Sequence, residues 1–78
     1  MDIKILGSGC VNCHRLEAVT RQALTDLDLD IEIENVTDPA DIASWGVMST
    51  PALVIDDDVV LVGRIPKSDD LKTLIANH

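Results

Sequence analysis

Aromatic side chains are almost missing from this sequence: its 78 residues include one tryptophan and neither phenylalanine nor tyrosine. Apolar residues still make up 46% of the chain, so the core must consist of aliphatic side chains. A chain of this length is typical of one small domain with a limited core. We therefore expect residues 1–78 to form a single domain.

Basic residues are also scarce, with 6 Lys and Arg against 14 Asp and Glu and a formal net charge of -8. Proteins that bind nucleic acid neutralise phosphates with clustered cations. The composition therefore argues against nucleic acid as a partner, and equally against an anionic membrane surface. The simplest interpretation is that the negative charge keeps a small protein soluble.

Long hydrophobic runs are absent as well. No stretch approaches the ~20 apolar residues that a membrane-spanning helix requires. The first ten residues lack the basic start and the longer apolar region of a secretory signal. We expect a cytoplasmic protein that does not associate with membranes and is a monomer.

The first half of the chain alternates between strand and helix patterns. Residues 2–6, "DIKIL", and residues 30–36, "DIEIENV", predict strands. Between them, apolar residues recur at the three- and four-residue steps of a helix that fades near residue 26: Leu16, Val19, Ala23 and Leu27. Asp38 as a cap, Pro39 at the first helical position and Gly46 as a stop predict a short second helix.

The second half predicts a hairpin followed by a helix. Residues 51–55 and 59–63 are apolar runs joined by three aspartates, which indicates two largely buried strands. Ser68 is the predicted cap of a last helix, whose Leu71, Leu74 and Ile75 share a face. The order βαβαββα predicts an α/β fold with three helices and a four-stranded mixed sheet. Its first strand–helix–strand unit should be a right-handed parallel crossover.

Cys10 and Cys13 lie in "GSGCVNCH", residues 7–14, after the first strand and at the start of the first helix. A disulfide between them would close almost no loop and would stabilise little, so chemistry is the better explanation. Unpaired amides and the helix dipole favour a thiolate at this point. We expect Cys10 to be the exposed attacking thiolate and Cys13, deeper in the helix, to be the resolving thiol. Gly7 and Gly9 would let the chain turn sharply there.

His14 follows Cys10 by four residues, so the two would share a face if both belong to the helix. A protonated imidazole would help to hold the Cys10 thiolate, which makes His14 a candidate modulator of that thiol. An exposed histidine with no such role is the alternative, and the sequence leaves both open.

The same cysteines fit other site classes. C-x-x-C-H is the pattern for haem attachment, but a haem needs a large apolar pocket, which a chain with Trp45 as its one aromatic residue does not offer. Two thiolates also suit Cu(I) or Zn(II), so soft-metal binding or trafficking stays open. Copper-trafficking domains, however, end in a strand, whereas residues 68–78 predict a helix. A non-catalytic interaction module is a third class, and the intact cysteine pair counts against it.

The stretches "GSGCVNCHRLE" and "GVMSTPALVIDDDVVLVGRIP" resemble the small thioredoxin-like redox-active disulfide proteins, and the resemblance covers nearly the whole chain. It implies a thioredoxin-like fold and a thiol–disulfide oxidoreductase that uses Cys10 and Cys13 without a cofactor or metal. Its partners would be a disulfide-bearing protein and an upstream reductase or small-thiol reductant. The resemblance makes Pro51 a cis-proline facing the dithiol, with Thr50 presenting its main chain to the substrate.

The chain also departs from thioredoxin itself. Val-Asn stands between the cysteines, and Lys4 occupies the position where thioredoxins carry a buried carboxylate. No cationic group identifies a glutathione pocket. Trp45 and Met48 have two interpretations, core packing or an apolar lip beside the dithiol. The redox potential, the reductant and the target are therefore not predicted.

Overall fold

The computed structural model describes residues 1–7 and 11–77. Their elements follow in the order βαβαββα, as the sequence predicted: β1 (Ile3–Leu6), α1 (Val11–Asp26), β2 (Ile33–Val36), α2 (Pro39–Ser44), β3 (Ala52–Ile55), β4 (Asp58–Val62) and α3 (Ser68–Ala76). The α/β class, the three helices and the four-stranded mixed sheet are confirmed. The last element within the described residues is a helix, whereas the copper-trafficking domains considered above end in a strand.

The sheet has the strand order β2-β1-β3-β4. β1 runs parallel to β2 and antiparallel to β3, with Leu6 opposite Ala52 and Ile3 opposite Ile55. The end of β1 therefore lies beside the start of β3. This register brings Gly7, the residue after Leu6, close to Thr50.

Two aliphatic clusters fill the space on either side of the sheet. The larger cluster joins the sheet to α1 and α3 and includes Ile3, Ile5, Leu16, Leu53 and Leu71. The smaller cluster joins it to α2 and includes Leu6, Ile42, Ala52 and Val54. Alternate residues of β1 and β3 thus face opposite clusters, as the period-two geometry of a strand requires.

α1 begins and ends where the sequence indicated, and Leu16 and Ala23 lie on its buried face. Thr20 is also fully buried there, although it is polar. Its hydroxyl donates a 2.7 Å hydrogen bond to the carbonyl of Leu16, which satisfies the donor within the helix. The apolar pattern alone did not place this residue in the core.

Two expectations about the hairpin and the last helix were wrong. β3 is fully buried, but in β4 only Leu61 is buried, because β4 is an edge strand with its outer face exposed. Ser68 is the first residue of α3 and not its cap. The cap is Lys67, whose carbonyl accepts the amide of Leu71 at 3.0 Å and whose side chain makes no capping bond.

Candidate active site

Gly7 connects the sheet to the start of α1. Its amide donates a 2.9 Å hydrogen bond to the carbonyl of Val36, which holds the chain beside the end of β2. Ser8, Gly9 and Cys10 lie outside the described residues, so the predicted exposed thiolate of Cys10 and the turn at Gly9 remain predictions. The helix is described from Val11 onward.

Cys13 is the third residue of α1, 6% exposed, and its sulfur is disulfide-bonded. The sulfur packs directly on Gly7: a Cβ built on that glycine would overlap the Cys13 Sγ and would lie 3.2 Å from the Cys13 Cβ. Only glycine at position 7 therefore lets the Cys13 sulfur pack this closely against the main chain. It does not have the left-handed conformation that a sharp glycine turn would need.

Thr50 and Pro51 lie at the same edge of the sheet. The Cβ built on Gly7 would be 3.9 Å from the Thr50 Cβ, so Cys13 and Thr50 both border Gly7. Thr50 is exposed and Pro51 is buried, and the peptide bond between them is cis. The Pro51 carbonyl accepts the amide of Gly63 at 2.8 Å, which ties this loop to the end of β4.

A cavity of about 210 Å³ opens beside Cys13, lined by Gly7, Cys13, His14, Glu17, Asn35 and Thr37. His14 is exposed on α1 and reaches this cavity. The structure thus brings His14 together with Cys13. The predicted relation of His14 to Cys10 lies outside the described residues.

Glu17 gives this cavity a fixed carboxylate. Asn35 Nδ2 donates a 2.7 Å hydrogen bond to Glu17 Oε1, and Arg21 Nη2 lies 3.4 Å from the same oxygen. The hydrogen bond from Asn35 is the main cause that lowers the pKa of Glu17, and the charges of Arg21 and His14 act in the same direction against partial desolvation. Sequence reasoning missed both Glu17 and Asn35, because their contact joins residues that are distant in the chain.

A second groove, of about 280 Å³, runs from α2 to Thr50 and is lined by Pro39, Ile42, Ala43, Val47, Met48, Ser49 and Thr50. Met48 is 97% exposed at its edge. Trp45 instead packs against the smaller aliphatic cluster. Core packing therefore applies to Trp45, whereas Met48 lies at the surface, where an apolar lip would require it.

Known proteins match this chain along almost its whole length. The family model described as "Thioredoxin domain" matches residues 1–76. The chain belongs to the thioredoxin family. A protein named thioredoxin from Methanocaldococcus jannaschii is 39% identical over 97% of this chain and 87% of its own length. Another, from Methanothermobacter thermautotrophicus, is 32% identical over 97% of this chain and 99% of its own length. This family assignment makes the chain a thiol–disulfide oxidoreductase.

Lys4, at the sequence position where thioredoxins carry a carboxylate, is held by two ion pairs. Its amine binds Asp2 Oδ2 at 2.8 Å and lies 3.7 Å from Asp57 Oδ1, at the start of β1. It also lies 5.6 Å from the centre of the Trp45 ring. The hydrogen bond to Asp2 is the main cause that raises the pKa of Lys4. Its charge is thus held at the opposite end of β1 from Gly7 and Cys13.

Neither a metal cluster nor a membrane-spanning segment is found in this thioredoxin-family chain within residues 1–7 and 11–77. No three His, Cys, Asp or Glu side chains there come together as a metal site. No helix in the same ranges has the length and apolar character needed to span a bilayer.

Proposed function

We propose that Cys10 and Cys13 form the redox-active dithiol with which this oxidoreductase reduces or exchanges disulfides in other proteins. The main support is the placement of Cys13. It is a buried, disulfide-bonded residue in the first turn of α1, and its sulfur packs on Gly7, which Thr50 also borders. Cys10 directly precedes Val11 in the sequence, and the unpaired amides of a first turn favour a thiolate at that position.

The reaction runs through a mixed disulfide. The Cys10 thiolate attacks one sulfur of the substrate disulfide, and the other substrate sulfur leaves with the electron pair and takes up a proton. Cys13 then attacks Cys10, so that a Cys10–Cys13 disulfide forms and the second substrate sulfur leaves as a thiol. The substrate gains two electrons, and the protein is oxidised by two. An upstream reductase or a small thiol returns the dithiol form.

Thr50 and Pro51 serve substrate binding in this proposal. Thr50 is exposed, lies two residues before β3 and neighbours Gly7, so an extended substrate chain laid along it would reach the sulfurs. Main-chain pairing with an extended peptide is a common recognition mode. His14 is proposed to hold the Cys10 thiolate. If His14→Ala leaves the pH profile of Cys10 alkylation unchanged, His14 has no such role.

Two single substitutions test the proposed dithiol. Cys10→Ser should abolish reduction of a disulfide-bearing protein such as insulin, because the attacking sulfur is gone. Cys13→Ser should instead accumulate mixed disulfides that dithiothreitol releases, visible on non-reducing gels. Trapping with Cys13→Ser in cell extract would then name the physiological target.

Full activity of Cys10→Ser would contradict the assignment. Stoichiometric Cu(I) or Zn(II) retained by the wild type through a chelator wash, combined with absent disulfide reduction, would favour the metal-carrier alternative. Each variant should keep the thermal unfolding profile of the reduced wild type, which confirms that the loss concerns chemistry and not folding.

A further inference from the structure

The cavity beside Cys13 contains a carboxylate that the proposed mechanism has not yet used. Glu17 follows Cys13 by four residues on α1, and both line the cavity. Residues at this spacing lie on one helix face with Cβ atoms about 6 Å apart. Cys13 is only 6% exposed, and this cavity lies beside it.

Glu17 is held in place from two elements. Asn35 on β2 donates to Oε1 at 2.7 Å, and Arg21 on α1 lies 3.4 Å from the same atom. The other groups around the cavity are the main chain of Gly7, His14 on α1 and Thr37 after β2. These contacts keep the Glu17 carboxylate ionised at neutral pH, because they lower its pKa. Lys4 does not line this cavity, because its amine binds Asp2 at the other end of β1.

We infer that Glu17 is a positioning residue that keeps Cys13 protonated in the reduced protein, so that the resolving sulfur stays a thiol until the mixed disulfide forms. A fixed negative charge close to a thiol favours the neutral form of that thiol. The two sulfurs of the dithiol are thereby made unequal, since the helix start favours a thiolate at Cys10. The inference rests on the proposed function, because it assigns Cys13 the resolving role.

In the resolving step, Cys13 loses its proton and its sulfur forms a bond to the Cys10 sulfur. The bond between Cys10 and the substrate sulfur breaks, and the electron pair leaves on the substrate. The departing substrate thiolate takes up the proton that Cys13 released, so charge and electrons balance. Glu17 neither gains nor loses a proton overall. It sets the pH at which Cys13 becomes reactive.

Glu17→Gln tests this role, since glutamine keeps an oxygen that can accept from Asn35 but removes the charge. The measurement uses reduced Cys10→Ser protein, in which Cys13 is the one remaining thiol, and follows thiolate absorbance near 240 nm against pH. Adding Glu17→Gln should lower the titration midpoint of Cys13 by about one pH unit. Asn35→Ala, which releases Glu17 from its partner, should give a smaller shift in the same direction.

Glu32→Gln is the matched control: it removes the same charge from an exposed position outside the cavity and should leave the midpoint within about 0.2 units. An unchanged or raised midpoint in Glu17→Gln would overturn the inference while leaving the dithiol function standing, because this titration requires no substrate. Equal shifts in Glu17→Gln and Glu32→Gln would also overturn it, since the effect would then belong to net charge.

Discussion

At the scale of single residues, Gly7 carries the tightest geometric requirement of the site. It has no side chain, its amide is fixed to Val36, and the Cys13 sulfur occupies the space that a Cβ would fill. The main chain cannot move away without breaking that hydrogen bond. A methyl group at this position must therefore displace Cys13.

Gly7→Ala should destabilise the oxidised protein by about 1–3 kcal/mol, the usual range for overpacking a well-filled site. Urea unfolding measures the loss. Gly46→Ala is a useful comparison, because Gly46 has a φ of +76° but open space around it. That substitution should cost about 1–2 kcal/mol, and the cost should come from backbone conformation alone.

The double variant Gly7→Ala, Cys13→Ala tests whether the loss of stability in Gly7→Ala comes from the clash with the Cys13 sulfur. Removal of the sulfur should reduce the loss of stability caused by Gly7→Ala. The reduction should be partial, because the Cβ at position 13 remains 3.2 Å from the new Cβ at position 7. Strict additivity of the two single substitutions would show that Gly7 and Cys13 do not compete for the same space.

The sequence revealed residue types better than residue contacts. The spacing of Cys10 and Cys13 pointed to a dithiol, and the Thr50–Pro51 pair pointed to the facing loop. The approach of Gly7 to Cys13 and the bond between Glu17 and Asn35 each join separate elements. Such contacts depend on how helix and sheet pack, and no local pattern records them.

At the scale of helices and strands, the two short helices begin in different ways. Asp38 caps α2 by accepting the amide of Ala40 at 2.9 Å. α3 begins after Lys67, whose extended backbone suits a cap but whose side chain cannot accept an amide. A positive charge at this end also opposes the helix dipole.

Lys67→Ser should therefore stabilise the protein by about 0.5–1 kcal/mol, measured by urea unfolding. Lys67→Ala is the control, because it removes the same charge without supplying an oxygen. If serine gives no advantage over alanine, the capping explanation fails and any gain comes from charge alone.

The element-scale errors have a common cause. The helical period of α3 was clear, but "KSDD" offers a serine that looks like a cap, and only the backbone at Lys67 decides which residue precedes the first helical bond. Likewise, residues 59–63 are as apolar as residues 52–55, but a run of valines does not tell a central strand from an edge strand. Position in the sheet is a tertiary property.

At the scale of the whole molecule, the net charge of -8 is spread over a body only 33 × 23 × 18 Å in extent. Charges of one sign at such distances repel one another in the folded state and less in an expanded chain. Lys4, Arg21 and Lys72 form ion pairs with Asp2, Asp57, Glu17, Asp26 and Asp69, but 6 Lys and Arg cannot offset 14 acidic residues.

Salt should therefore stabilise this protein. Raising NaCl from about 10 mM to about 200 mM at pH 7 shortens the screening length from roughly 30 Å to under 10 Å, and the midpoint of thermal unfolding should rise by a few degrees. Calorimetry at several salt concentrations checks the sign. A midpoint that falls over this range would show that attractive pairs, and not repulsion, dominate the electrostatics of the fold.

The pairing of β1 with β3 has a consequence for how the protein is made. A nascent chain exposes both cysteines early in translation, whereas Ala52, the partner of Leu6, is synthesised much later. Until the ribosome has passed Ile55, the growing polypeptide contains both cysteines but lacks β3, the strand that pairs with β1. The reactive thiols are therefore synthesised before the sheet that positions them can form.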